Sequence, residues 1–220
     1  MSPSIMTKGA IDCDIHPSVP NIEALLPYFN DHWRDTISQR GVHDLQTIAY
    51  PKNAPLTARP DWRPKLGVPA ADVNTISTQA LDTFQTSIAI CNCLYGVQLL
   101  MSEDLAAAFA SAVNDWMIAE LLNKDPRLRA SIVIPTQNSE MAVAEIERVA
   151  SDPRFVSILM LVMDEKPLGR RSYWPIYAAA QRHNMPICVH AGSAYKPVSY
   201  THLRAHETPE HLGCRRGREK

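Results

Sequence analysis

The sequence predicts an α/β fold built on a parallel sheet, and three observations predict it. Short apolar and β-branched runs alternate with amphipathic helix patterns about every 25–40 residues, the rhythm of βα units. Several runs, such as Val156 to Met163, are nearly all apolar, as strands buried on both faces must be. Strand-like runs also stop sharply at prolines, as at Pro17 and Pro135.

Taken in order, Ile11-Asp-Cys-Asp-Ile-His16 reads as the first strand. Residues 20–29 read as a short helix, with Asn21 as cap and Leu25, Leu26 and Phe29 as its stripe. Residues 50–72 carry Pro51, Pro55, Pro60, Pro64 and Pro69, too many for a helix or a strand. Loops of that length are lids or linkers. Trp62, Leu66 and Val68 would anchor this one, so a packed lid is expected. Residues 75–84 form the next helix, 87–91 a strand and 103–123 a long helix capped by Ser102. Leu105, Phe109, Val113, Trp116, Met117 and Leu121 give that helix one apolar face. Then follow a strand over 130–134, a helix over 138–150 and a strand over 156–163. A helix over 172–183 and a strand over 186–190 complete the series.

The 220 residues are 45% hydrophobic with a net charge of −1, which excludes global disorder. The same balance lacks the basic surplus of a nucleic-acid partner. No uninterrupted run reaches the roughly 18 apolar residues of a membrane span. The segment up to Lys8 has no apolar signal core, so a cytoplasmic location is expected. Cys13, Cys91, Cys93, Cys188 and Cys214 make no zinc-type pair of pairs and read as reduced thiols.

Asp12, Asp14 and His16 alternate along the first strand, so all three would share one face. Alone, a D-x-H pair is better explained as a turn cap beside a loop histidine. His190 changes that reading. It ends the apolar run Ile187-Cys-Val and precedes Ala191-Gly192, at the strand end where parallel α/β folds place ligands. Asp14, His16 and His190 are therefore the candidate metal donors. Trp62 and Arg63 on the lid, and Arg170 and Arg171 after the fourth long strand, are candidate substrate contacts, since guanidinium matches carboxylate geometry. Surface packing and solvation are the plainer readings of those four. His183, at a helix end, reads as structural.

Several stretches together carry a family resemblance: Ile11-Asp-Cys-Asp-Ile-His-Pro17, Ala112-Val-Asn-Asp-Trp116, Asp125-Pro-Arg-Leu-Arg-Ala-Ser-Ile-Val-Ile-Pro135, Asp152-Pro-Arg-Phe155, Tyr173-Trp-Pro-Ile-Tyr177 and Val189-His-Ala-Gly192. In these the chain resembles the amidohydrolase-related family (amidohydrolase family 2), which holds metal-dependent hydrolases and non-oxidative decarboxylases. The resemblance implies a (β/α)8 TIM-type barrel with a divalent metal, zinc first and manganese second, at its C-terminal mouth. It places Asp14 and His16 in the first-strand acid-x-His pair and His190 in the fifth-strand position. It also implies a histidine on strand six and an acid/base aspartate on strand eight, for which this chain has no counterpart. The expectation is thus a barrel shortened to about five βα units and inactive as it stands. The parent reaction would be hydrolysis or carboxy-lyase chemistry on a small carboxylate- or ring-bearing substrate, with the acid form of the pair tilting towards the lyase. Neither nucleic acid nor membrane is an expected partner; a homo-oligomer is open to a full-length parent.

The expected organisation is a disordered N-terminus over 1–10, the partial barrel over 11–197 with its lid at 50–72, and a tail over 198–220. The tail has no apolar periodicity, holds His202, His206 and His211, and resembles translated adapter sequence rather than native protein. The alternatives are a non-catalytic α/β binding protein and a truncated translation product without its own function.

Overall fold

The computed structural model describes residues 9–45, 58–163 and 166–193. Residues 1–8, the first part of the proline-rich loop and the whole tail lie outside them, and with them the readings of a disordered N-terminus and a non-native tail. The described chain runs β1 (Ile11–Ile15), α1 (Asp31–Arg40), α2 (Val73–Ile76), β2 (Ile88–Cys91), α3 (Glu103–Met117), β3 (Leu128–Val133), α4 (Ser139–Val149), β4 (Phe155–Met163), α5 (Trp174–Arg182) and β5 (Ile187–Ser193). Helices α2 and α3 continue as wider π-helical turns over Ser77–Asp82 and Ile118–Leu122.

All neighbouring strands are parallel, in the order β1-β2-β3-β4-β5. Each strand therefore pairs with its successor, and the crossovers stack helices on one face. In a flat sheet the two outer strands would stand roughly 19 Å apart, at about 4.8 Å per step. Instead the rings of His16, just past β1, and His190 on β5 lie 4.6 Å apart. The sheet is curled into half of a barrel, matching the expected fold class.

The core lies between the sheet and the helices. Phe109, Val113 and Met117 of α3, Ile146 of α4 and Ile176 of α5 are fully buried with Ile132, Ile158 and Leu159. The segment Glu103–Leu122 is long and apolar enough by composition to cross a membrane, but its apolar face is packed in this core. Burying such side chains contributes about 1.5–3 kcal/mol each. Asn114 ties three elements together. Its Nδ2 donates to the Val133 carbonyl (2.9 Å) and to Glu145 Oε1 (2.6 Å), and its Oδ1 accepts from Val133 N–H (2.9 Å).

One expected element differs. The helix read over 20–29 is two short 3-10 turns, Ile22–Ala24 and Leu26–Tyr28. Pro27 lacks an N–H and disfavours helical backbone at Leu26, so an α-helix cannot run through them. The helix of this region is α1, with the Asn30 side chain accepting from Trp33 N–H (3.0 Å) and Gly41 closing it at φ 61°.

Register shifts mark three places. Between Asp12 and Ile15, β1 has one more residue than its partner β2; β4 has one between Phe155 and Ser157; β5 has one after His190. Such bulges re-aim side chains.

Candidate metal centre

Asp14 and His16 leave β1 at its C-terminal end, and His190 comes from β5 on the far side of the half-barrel. The bulge in β1 frees the Asp14 N–H from the ladder, and Asp12 Oδ1 accepts it at 3.0 Å. Asp12 thus holds the turn of backbone that presents Asp14.

The three donors form a near-equilateral triangle. His16 Nε2 and His190 Nε2 are 3.2 Å apart, and Asp14 Oδ2 lies 3.5 Å from the first and 3.4 Å from the second. Donors about 2.0–2.2 Å from a shared ion stand about 2.8–3.6 Å apart across octahedral and tetrahedral geometries. The triangle has that size. The tautomer agrees. His16 Nδ1 lies 3.1 Å from the Asn92 carbonyl oxygen, which can only accept, so Nδ1 carries the proton and the Nε2 lone pair points into the triangle. His190 Nδ1 is buried with no hydrogen-bond partner among the described residues. The donor set of one carboxylate and two imidazoles suits zinc and manganese alike.

Beside the triangle lies a cavity of about 260 Å³ lined by Asp14, His16, Arg59, Trp62, Gln79 and Phe84. Trp62 and Phe84 meet at 5.8 Å between ring centroids, and the Arg59 guanidinium sits 5.1 Å over the Trp62 ring. Of the two lid residues expected at the site, Trp62 lines this cavity. Arg63 turns away and donates from Nε to the Ala58 carbonyl at 2.7 Å. Arg59, which sequence reasoning missed, takes the rim position four residues earlier. Its signal was its place on the same proline-rich loop. Arg170 and Arg171 line a separate open cavity with Lys166, and Arg171 lies 5.3 Å over the Trp174 ring. His183 pairs with Glu147 Oε2 at 2.6 Å, at the end of α5.

The other residue missed is Asn92, wholly buried between Cys91 and Cys93. Its Nδ2 donates to Asp14 Oδ1 at 2.8 Å and to the Cys13 carbonyl at 3.2 Å. Burial pushes both flanking thiols up to about 12. Neither behaves as a ligand thiolate at neutral pH.

A family model described as amidohydrolase matches residues 11–213. No curated protein sequence matches the chain. Among solved structures, 5-carboxyvanillate decarboxylase from Novosphingobium aromaticivorans, with manganese and 4-hydroxy-3-methoxy-5-nitrobenzoic acid, is 18% identical with a TM-score of 0.63, over 92% of this chain and 55% of that one. Dihydroxybenzoic acid decarboxylase from Polaromonas, with manganese and 2-nitroresorcinol, is 17% identical with a TM-score of 0.60, over 91% of this chain and 54% of that one. The 2,6-dihydroxybenzoate decarboxylase from Rhizobium is 18% identical with a TM-score of 0.57, over 84% and 50%. The chain spans about half the length of these structures, and at such identity the likeness is one of fold.

Proposed function

Because this chain belongs to the amidohydrolase family, we propose that its triangle of donors is the metal centre of a non-oxidative decarboxylase acting on small aromatic carboxylates. The observation that carries the reading is the convergence of Asp14 Oδ2, His16 Nε2 and His190 Nε2 from opposite edges of the half-barrel. The acid-x-His form of the first pair and the solved decarboxylases of like fold support the lyase over the hydrolase.

A divalent cation, when bound, supplies the positive charge that orients a substrate carboxylate and steadies the charge developing as carbon dioxide leaves. The chain's own residues do the rest of the binding. Trp62 and Phe84 offer flat apolar walls to an aromatic ring. Arg59, whose Nε donates to Asp61 Oδ1 at 2.7 Å, offers its terminal guanidinium nitrogens to a carboxylate or phenolate oxygen.

The test is binding of a panel of hydroxylated benzoates and of aromatic lactones to the chain supplied with manganese or with zinc, followed by calorimetry. The expected result is metal-dependent binding of a hydroxybenzoate, abolished by His190→Ala and weakened at least tenfold by Arg59→Ala. Metal-dependent binding of the lactones with none of the hydroxybenzoates would favour a hydrolase over the lyase.

A further inference from the structure

A file of hydrogen-bonded, buried polar side chains leads across the sheet to the donor triangle. It begins at Ser157 on β4, passes Ser131 on β3, reaches Asn92 after β2 and ends on Asp14 at β1. Ser157, Ser131 and Asn92 are all buried, the last two completely. Burying three uncharged polar groups is costly unless each finds a partner, and here each does.

The bulge in β4 sets up the file. Ala130 pairs with Phe155, but Ser131 pairs with Ser157 rather than with Val156. That one-residue shift brings the two serine hydroxyls to 2.7 Å. Without it, Ser131 would face a valine.

The direction of each hydrogen bond follows from chemistry. The two groups around Asn92 Nδ2 are a carboxylate and a peptide carbonyl, and both can only accept. The amide nitrogen must therefore face Asp14, and the amide oxygen must face Ser131. Ser131 Oγ then donates to Asn92 Oδ1 at 2.5 Å, and Ser157 donates to Ser131. All the protons point towards Asp14, and aligned donors of this kind polarise one another.

We propose that Asn92, backed by Ser131 and Ser157, is the positioning residue of the metal centre. It acts on both β1 donors at once. Its side chain occupies Asp14 Oδ1, which leaves Oδ2 as the free carboxylate oxygen in the triangle. Its backbone carbonyl holds the Nδ1 proton of His16, and its own N–H donates to the Ile15 carbonyl at 2.7 Å. One residue thereby fixes the carboxylate rotamer, the imidazole tautomer and the backbone between them. Asp14 needs such a support because its side chain is 54% exposed and would otherwise rotate freely. This role rests on the metal reading above, and the test separates the two.

The experiment measures manganese affinity by the paramagnetic resonance of free Mn²⁺, and the visible d–d spectrum after cobalt loading. The proteins are the 220-residue chain, Asn92→Leu, Ser131→Ala and Asp14→Asn, with far-ultraviolet circular dichroism of each. Asn92→Leu keeps the size of the side chain and removes the amide. It is expected to weaken manganese binding 10–100-fold and to shift the cobalt bands at saturation, the range seen when outer-shell partners of metal ligands are lost. Ser131→Ala, which disturbs the fold least, is expected to weaken binding 2–5-fold with a smaller shift in the same direction. A purely structural role would lower thermal stability without moving the cobalt bands of the saturated protein. Wild-type affinity and wild-type bands in both variants, with binding lost in Asp14→Asn, would overturn the positioning role and leave the metal centre standing. A wild-type chain that takes up neither ion would overturn both.

Discussion

Two neutral imidazole nitrogens 3.2 Å apart repel unless a proton or a cation lies between their lone pairs. The carboxylate of Asp14 on the third corner makes that place more favourable still for positive charge. This local electrostatic demand was readable in the sequence only in pieces. Asp14 and His16 stood out because alternate strand residues share a face, and His190 because a polar residue at a strand end has no packing role. Asn92 did not stand out. Its partners Ser131 and Ser157 lie 39 and 65 positions away, and its neighbours Cys91 and Cys93 read only as reduced thiols. Those neighbours carry a prediction. With Cys91 and Cys93 pushed up to about 12 by burial, both remain protonated thiols at pH 8. Native protein treated with iodoacetamide at pH 8 should be alkylated at the exposed Cys13 within minutes and spared at Cys91 and Cys93. Peptide mapping by mass spectrometry checks this, and rapid labelling of either buried thiol would show that the floor of the site opens readily.

At the scale of elements, the strands were legible and the first helix was not. Strands β3, β4 and β5 announced themselves as apolar runs bounded by turn residues, because a strand's face pattern is local. Helix α1 has little apolar periodicity, with only Ile37 buried, so its signals were the Asn30 cap and Gly41 rather than a stripe. Asn30→Ala should lower stability by about 1 kcal/mol, read as a shift in the urea midpoint. No change would mean that α1 is held by other contacts. The repeated Asp-Pro-Arg motif has one physical explanation at both of its positions. Asp125 accepts from the backbone N–H of Arg127 and pairs with its guanidinium at 2.7 Å, and Asp152 does the same with Arg154 at 2.6 Å. Each ring closes the turn that starts a strand, β3 or β4. The Arg127 guanidinium, with a hydrogen bond from Ser77, holds the Asp125 carboxyl well below the usual carboxylate range. A depressed native pKa contributes stability that is complete above the unfolded value near 4 and is lost as pH falls through the native one. Asp125→Asn should therefore cost about 1–3 kcal/mol at pH 7. The gap from wild type should shrink below about pH 4. Equal gaps at pH 7 and pH 3 would remove the ion pair from the account.

The whole molecule is a curled sheet with two outer edges. Among the described residues no strand pairs with the free edge of β1 or of β5, and Ile11, Val162 and Val189 are about half exposed or more. Unpaired edges beside exposed apolar side chains invite association. The 220-residue chain should bind a hydrophobic dye and self-associate at micromolar concentration. A dye-silent monomer with one sharp, cooperative melt would show that the described half-barrel is self-sufficient. The curl itself was not legible from periodicity, which specifies faces but not the curvature of a sheet; it entered through the family resemblance. Its consequence is the central claim, since only a curled sheet brings β1 and β5 together at their C-terminal ends. The most direct measurement is a crystal structure of the chain soaked in manganese, with anomalous scattering to locate the ion. A single strong peak is expected about 2.0–2.3 Å from Asp14 Oδ2, His16 Nε2 and His190 Nε2, absent in crystals of His190→Ala. Manganese bound elsewhere while that triangle stays empty, or His190 found far from His16, would contradict it.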